Sequence, residues 1–169
     1  MPMPLFVCHA NCCRSVLAKY LYEHLCPGTT ALSAGVEASG EINDRAWKML
    51  HGWGIDASGH RPMQLSRDLC DRADGIFVMG PAYLRWVMLG WGSDLADKAY
   101  LFADPFTLPR SFQKKEYLVY DPSWDDRPVA ELHRHFNWFR DRVVQIHDAL
   151  KGHGRKLIAA SQYIIALAQ

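Results

Sequence analysis

The amino-acid sequence predicts an α/β domain with a doubly wound, three-layer fold, in which a short parallel sheet of about four strands lies between helices on both faces. Three observations lead to this fold. Short apolar runs alternate with amphipathic segments along the chain. The 169 residues, 49% of them hydrophobic, suffice for one sizeable core but hardly for two domains. A polar loop follows the first apolar run, at the edge where such sheets bind ligands.

Four apolar runs are predicted to be strands, at residues 5–7, 29–35, 75–79 and 99–102. Amphipathic segments between them are predicted to be helices. The first of these, at 15–25, is expected to turn Val16 and Tyr20 toward the core. The second starts at a cap formed by Asn43 or Asp44 and reaches Gly54. Shorter helices are predicted at 65–73 and 81–89.

Residues 128–150 are predicted to form a long final helix. Apolar residues recur there at steps of three and four, at Val129, Leu132, Phe136, Phe139, Val143, Ile146 and Leu150. The stripe could also be a coiled-coil seam, but core packing explains three heptads in a compact α/β chain better. Residues 103–126, rich in Pro, Asp and aromatic residues, are predicted to be a long functional loop.

Charge and cysteine usage exclude several classes of function. The formal net charge of +1 gives no indication of nucleic-acid binding. No apolar run approaches the length of a membrane span. Five cysteines, three of them within residues 8–13, do not resemble the disulfide framework of a secreted protein. The first residues lack the pattern of a signal peptide, so the cytoplasm is the expected compartment.

The loop at residues 8–15, with the sequence CHANCCRS, is the candidate active site. A loop that joins a strand to a helix presents backbone N–H groups and the positive end of the helix dipole to an anion. That setting and the nearby Arg14 favour the thiolate form of Cys8. Arg14 can hold two phosphate oxygens, Ser15 can hydrogen-bond the thiolate, and Asn11 can hold the loop through backbone hydrogen bonds.

Alternatively, Cys8 is an inert buried cysteine and Arg14 part of a surface ion pair, because C-x5-R spacing also arises by chance. The full set of Cys8, Asn11, Cys13, Arg14 and Ser15 favours the active site. This loop resembles the C-x-G-N-x-C-R-S pattern of the low-molecular-weight protein tyrosine phosphatase family. Further segments are similar to that family at 33–35, 54–61 and 73–79. The resemblance covers residues 5–150, which suggests a catalytic domain at 1–154 and a tail at 155–169.

The resemblance implies hydrolysis of phosphomonoesters, on phosphotyrosine in a protein or on a small aryl phosphate, through a cysteinyl-phosphate and without metal or cofactor. Cys8 is then the nucleophile, Arg14 holds the phosphoryl group, and Asp121 of Asp121-Pro122 is the general acid. Asp104-Pro105 has the same form but lies directly after the fourth strand. Ser33 and His60 are implied to brace Asn11 and Ser15. The implied substrate-binding residues are His9, Ala10, Asn11, Cys12, Cys13, Ser15 and Trp124.

Several residues depart from the family pattern. Ala10 stands where the family has glycine, so a positive φ there would cost on the order of 1 kcal/mol. His9 replaces a small or aliphatic residue. Ser123-Trp124 replaces an aromatic pair, and residues 36–39 lack an aromatic residue. These departures leave open a phosphate-binding pseudophosphatase. An arsenate reductase is less favoured, because it needs a further cysteine pair and no cysteine follows Cys70. The oligomeric state is not indicated.

Overall fold

The computed structural model describes residues 1–103, 121–124, 127–153, 157 and 159, with only the backbone of Trp124, Ala130 and His133. Within this part of the chain, one parallel sheet contains the strands β1 Pro4–Cys8, β2 Leu32–Gly35, β3 Gly75–Val78 and β4 Ala99–Leu101. Their spatial order is β2-β1-β3-β4. The chain therefore leaves β1 in one direction and returns past it to β3, and the switch lies at the carboxyl end of β1.

The α-helices found in the described ranges are α1 Arg14–Leu25, α2 Asp44–His51, α3 Arg67–Arg72, α4 Pro81–Trp91 and α5 His133–Leu150. The side chain of Asn43 accepts a hydrogen bond of 3.0 Å from the backbone N–H of Arg45, which confirms the predicted cap of α2. Pro81 begins α4, where a missing N–H costs nothing. The long final helix is α-helical from His133 and is preceded by the 3-10 turn Val129–Leu132.

Alternate residues of β1 face two separate cores, as a doubly wound sheet requires. Phe6 and Cys8 lie in the core that is shared with α1, α2 and α5. Leu5 and Val7 lie in the core shared with α3 and α4. Helices on both faces of a four-stranded parallel sheet confirm the predicted fold class.

The predicted stripe of α5 packs against this sheet. Its five central members are buried, namely Leu132, Phe136, Phe139, Val143 and Ile146. Edge contacts between Phe6 and Phe102 and tilted contacts between Phe102 and Phe139 join the helix to the strands. The buried Arg142 interrupts the apolar surface, and its Nε donates to the backbone carbonyl of Phe102. The stripe is thus a core face and not a coiled-coil seam.

One local prediction is wrong and another is incomplete. The strand predicted from residue 29 begins only at Leu32, because the hydroxyl and N–H of Thr29 both donate back to the carbonyl of Cys26. In α1, Tyr20 packs against the core as predicted but is only partly buried, whereas Tyr22, which the prediction left out, is fully buried. The hydroxyl of Tyr22 is paired with Nδ1 of His147 at 3.0 Å, which satisfies a buried polar group that the apolar pattern cannot reveal.

Of the predicted tail, Leu157 packs against the core that contains α1 and α5, and Ala159 forms an antiparallel bridge with Tyr100. The other residues of 155–169 lie outside the described residues, as do Asp104 and most of the predicted loop at 103–126. Among the helices that are described, none is long and apolar enough to cross a membrane.

Replacing Leu21 by Ala should lower the free energy of unfolding by about 2–5 kcal/mol, since this α1 side chain is fully buried and its loss leaves a cavity. The same change at Leu89, which is 80% exposed on α4, should alter that free energy by less than about 0.5 kcal/mol. Urea denaturation followed by circular dichroism measures both. Equal effects in the two variants would contradict the packing of α1 described above.

Candidate active site

The loop between β1 and α1 lies at the carboxyl edge of the sheet, beside the switch between β1 and β3. Its carbonyl groups point away from the loop centre. Four of them accept hydrogen bonds of 2.8–3.2 Å from N–H groups of residues 36–43, and they belong to Cys8, His9, Ala10 and Cys12. Among the described residues, no acceptor is found for the N–H groups of residues 9–13. These donors therefore form an anion-binding cradle in front of α1.

Gly35, at the end of β2, permits this arrangement. A Cβ atom at this position would lie 2.5 Å from the carbonyl oxygen of His9 and 2.8 Å from the backbone nitrogen of Asn11. Both atoms belong to the backbone and cannot turn aside. The loop and the end of β2 thus approach as closely as they do because residue 35 has no side chain.

The loop contains one non-glycine residue with positive φ, and it is Asn11 at 55°. The strain expected at Ala10 is therefore absent, since Ala10 does not adopt a positive φ. Asparagine adopts this left-handed conformation more readily than most residues. The position that demands a special residue is one place further along the loop than the resemblance suggested.

The side chain of Asn11 orients Ser15 toward Cys8. Oδ1 of Asn11 accepts from the backbone N–H of Met63 at 2.9 Å, which fixes the amide with its NH₂ group on the other side. That group donates to Oγ of Ser15 at 2.8 Å. Because the Ser15 oxygen already accepts this bond, its own proton is available for Sγ of Cys8 at 3.0 Å. Cys8 itself is buried, with only 2% of its surface exposed.

His60 supports the same residue through the backbone. Its Nε2 lies 2.8 Å from the carbonyl oxygen of Asn11, which can only accept, so Nε2 carries the proton. Burial lowers the pKa of His60, and the positive charges of Lys19 and Arg61 lower it further, against the raising effect of the bond to Asn11. Ser33 is buried on β2, but no hydrogen bond joins its hydroxyl to the described residues of the loop. Met63 provides the contact that was expected of Ser33.

Arg14 connects the cradle to a distant part of the chain. Its Nη2 lies 2.9 Å from Oδ2 of Asp121, and this ion pair is largely shielded from solvent. The other carboxylate oxygen accepts from the N–H and the hydroxyl of Ser123, at 3.1 and 2.6 Å. Burial alone would lower the pKa of Arg14, but the charges of Asp121 and Cys8 and the contact with Tyr83 raise it. Arg14 therefore carries its charge at every physiological pH.

The hydroxyl of Tyr83 accepts a hydrogen bond of 3.3 Å from the same Nη2 of Arg14. Sequence reasoning missed this residue because it lies in the predicted helix at 81–89. Its position in the sequence could have indicated a site residue, because Tyr83 lies three residues past Gly80 and just beyond the carboxyl end of β3. His9 lies on the same side, with its ring centroid 6.5 Å from that of Tyr83.

The remaining predicted site residues differ in how far they are described. Cys12 is half-buried and Cys13 is buried at the start of α1, and desolvation raises the pKa of both thiols. Both are therefore protonated at neutral pH. The backbone of Trp124 lies in the 3-10 turn Pro122–Trp124, but its side chain lies outside the described part. Across the described ranges, no group of three or more His, Cys, Asp or Glu residues could hold a metal ion.

Comparison with known proteins relates this site to one family. A family model described as low molecular weight phosphotyrosine protein phosphatase matches residues 4–156. A curated relative, the probable low molecular weight protein-tyrosine-phosphatase EpsP of Ralstonia solanacearum, is 45% identical over 83 residues, which are 48% of this chain and 57% of the relative. Its counterpart from Ralstonia nicotianae is 44% identical over 80 residues, or 46% and 55% of the two chains. The match thus spans little more than half of these relatives.

Solved structures share the fold over nearly their whole length. The tyrosine phosphatase Wzb from Escherichia coli K30 has a TM-score of 0.68 at 21% identity, covering 88% of this chain and 97% of its own. The YwlE arginine phosphatase from Geobacillus stearothermophilus has a TM-score of 0.70 at 23% identity, covering 92% and 99%. At such identities the likeness establishes the doubly wound fold and does not choose between tyrosine and arginine as the phosphorylated residue.

Gly35→Ala should abolish binding of inorganic phosphate to the cradle, because the new Cβ would overlap the backbone of His9 and force the loop away from β2. Isothermal titration calorimetry with phosphate measures this. Gly90→Ala on α4 is the matched control, since nothing lies within 4 Å of a Cβ there. If Gly35→Ala binds phosphate as tightly as the control does, the close approach is not needed for the site.

Acid should destabilise the native protein through His60. The pKa of the buried ring is lowered from 6.5, so its stabilising effect is present above that value and is lost as the pH falls through the folded-state pKa. His60→Gln keeps an N–H for the carbonyl of Asn11 but does not titrate. Between about pH 7 and pH 5, the free energy of unfolding of the native protein should fall relative to that of this variant. A pH-independent difference between the two urea denaturation series would contradict this role.

Proposed function

Because this chain belongs to the low molecular weight phosphotyrosine protein phosphatase family, we propose that it hydrolyses phosphomonoesters, with phosphotyrosine in a protein or a small aryl phosphate as substrate. One observation carries the proposal. Cys8, Arg14 and Asp121 converge on a cradle of backbone N–H groups, although Asp121 is more than a hundred residues away in sequence. A nucleophile, an anion holder and an acid are the groups that hydrolysis through a covalent intermediate requires.

In the first step, the thiolate of Cys8 attacks phosphorus. The S–P bond forms as the bond from phosphorus to the leaving oxygen breaks, and that oxygen takes the proton of Asp121. The cradle amides and the guanidinium of Arg14 hold the remaining phosphoryl oxygens, where negative charge spreads in the transition state. Substrate-binding contacts therefore come from the backbone of His9, Ala10, Asn11, Cys12 and Cys13.

In the second step, the carboxylate of Asp121 takes a proton from water, whose oxygen attacks phosphorus as the S–P bond breaks. Ser15 stabilises the departing thiolate, because Asn11 leaves the serine proton directed at sulfur.

Without substrate, Asp121 is paired with Arg14. A phosphoryl dianion would compete for that guanidinium, and its arrival would release the carboxyl group to be protonated and to serve the leaving oxygen.

The ion pair between Arg14 and Asp121 favours an enzyme over a phosphate-binding pseudophosphatase, since mere binding needs no acid beside the cradle. Arsenate reduction is not proposed, because it needs a further cysteine pair, and no cysteine follows Cys70, which is buried on α3. We assign catalysis to residues 1–154, with 155–169 as a tail. Five free cysteines support a cytoplasmic protein.

Purified protein should release phosphate from a phosphotyrosyl peptide much faster than from phosphoseryl or phosphoarginyl peptides of the same sequence.

Asp121→Asn should lower kcat on phenyl phosphate about 10²–10⁴-fold and much less on p-nitrophenyl phosphate, because a good leaving group needs little protonation. Steady-state kinetics with both esters measure this difference.

Cys8→Ser is the blank for these assays, since its hydroxyl is not ionised near neutral pH. Asp104→Asn is the control for the second Asp-Pro motif, and any loss there should be equal on both esters. Hydrolysis by Cys8→Ser would remove the mechanism. If instead Asp104→Asn loses much more kcat on phenyl phosphate than on p-nitrophenyl phosphate, Asp104 and not Asp121 is the general acid.

A further inference from the structure

Tyr83 contacts the candidate site although it is far from the loop in sequence. It lies in the first turn of α4, and its N–H donates to the carbonyl of Gly80 at 3.1 Å. Its ring is half-buried and packs against both cores, so the backbone and the ring base are held in place. The hydroxyl end projects toward the guanidinium of Arg14. This is a rigid position for a side chain at the mouth of a site.

The hydroxyl of Tyr83 and the carboxylate of Asp121 share one nitrogen of Arg14. Nη2 lies 3.3 Å from the Tyr83 oxygen and 2.9 Å from Oδ2 of Asp121. Because this nitrogen carries two N–H groups, each partner can accept one of them. The ring centroid is also 5.7 Å from Cζ of Arg14, within the range of a cation–π contact. If a substrate draws Asp121 away, Tyr83 still holds the guanidinium.

The rings of Tyr83 and His9 form an aromatic surface beside the cradle. Their centroids are 6.5 Å apart and their planes differ by 35°, within the range of an aromatic pair. His9 follows Cys8 directly and is about half exposed, with Nε2 3.7 Å from a carboxylate oxygen of Glu37. Residues 36–39 contain no aromatic residue. On this side of the site, the aromatic contacts come from α4 and from the loop itself.

We propose that Tyr83 determines specificity in the phosphatase reaction inferred above, on which this proposal rests. Its ring is the wall against which an aryl leaving group packs, in company with His9. Its hydroxyl positions Arg14 to receive the phosphoryl oxygens when Asp121 turns to the leaving oxygen. The two roles belong to different atoms of one side chain, so they can be separated by substitution.

Binding of phenylphosphonate and methylphosphonate, measured by calorimetry, separates them without any turnover. Tyr83→Phe keeps the ring, so it should weaken both ligands by the same factor, about fivefold, through the lost bond to Arg14. Tyr83→Leu loses the ring as well, so it should weaken phenylphosphonate about a further fivefold relative to methylphosphonate. Trp86→Leu removes an exposed ring from the same helix and should change neither Kd.

An unchanged ratio of the two Kd values in Tyr83→Leu would overturn the aromatic wall. Unchanged affinity for methylphosphonate in Tyr83→Phe would overturn the positioning of Arg14. Thermal denaturation establishes that each variant is folded, and Tyr83→Phe preserves the packing of the ring base. If the native protein binds both phosphonates and the two Tyr83 variants change the Kd values as expected, but the native protein hydrolyses no aryl phosphate, the proposed function fails. The assignment of Tyr83 as a contact for the aryl group and for Arg14 then still stands. Failure of the native protein to bind either phosphonate overturns both.

Discussion

The outward hydrogen bonds of the loop carbonyls are the interaction on which the site depends. N–H groups of residues 36–43 donate hydrogen bonds to the carbonyls of Cys8, His9, Ala10 and Cys12. Because these carbonyls are already paired, the loop cannot relax into a turn in which they accept from the loop's own N–H groups. The N–H groups of residues 9–13, for which no acceptor is found among the described residues, are thus left available before any anion arrives. This preorganisation requires the close contact with Gly35, and that contact requires a position without a side chain.

A second layer of contacts holds the reacting atoms inside that frame. Met63 fixes the amide of Asn11, Asn11 directs the hydroxyl of Ser15, and Ser15 points its proton at Cys8. The two links that join Asn11, Ser15 and Cys8 are hydrogen bonds between buried groups, where an unpaired partner would be costly. His60 supports the loop through its hydrogen bond to the backbone carbonyl of Asn11. Cys8, the proposed nucleophile, is thus oriented by a chain of hydrogen bonds made within the protein.

An ion pair links this frame to the segment that carries Asp121, the proposed general acid. Arg14 is buried, and a buried guanidinium requires partners, which Asp121 and Tyr83 provide. Arg14 is paired with the carboxylate of Asp121 in the structure, and in the proposed mechanism a phosphoryl dianion would compete for the same donors. In the proposed reaction, Arg14 would therefore both hold Asp121 near the site and bind the phosphoryl group, which couples the two events.

The sequence by itself determined the fold class, since apolar runs and helical stripes report local burial, and α5 buries the residues that its periodicity predicted. It also located the loop, because Cys8, Asn11, Arg14 and Ser15 lie close together in the single segment 8–15. The family resemblance pointed to His60 and Asp121, which do reach that loop, but the other distant contacts were decided by the tertiary structure alone. Met63, Tyr83 and Gly35 belong to three other segments, and no periodicity encodes that they meet at one edge of the sheet. That meeting follows from the crossovers, which bring the carboxyl ends of β1, β2 and β3 together.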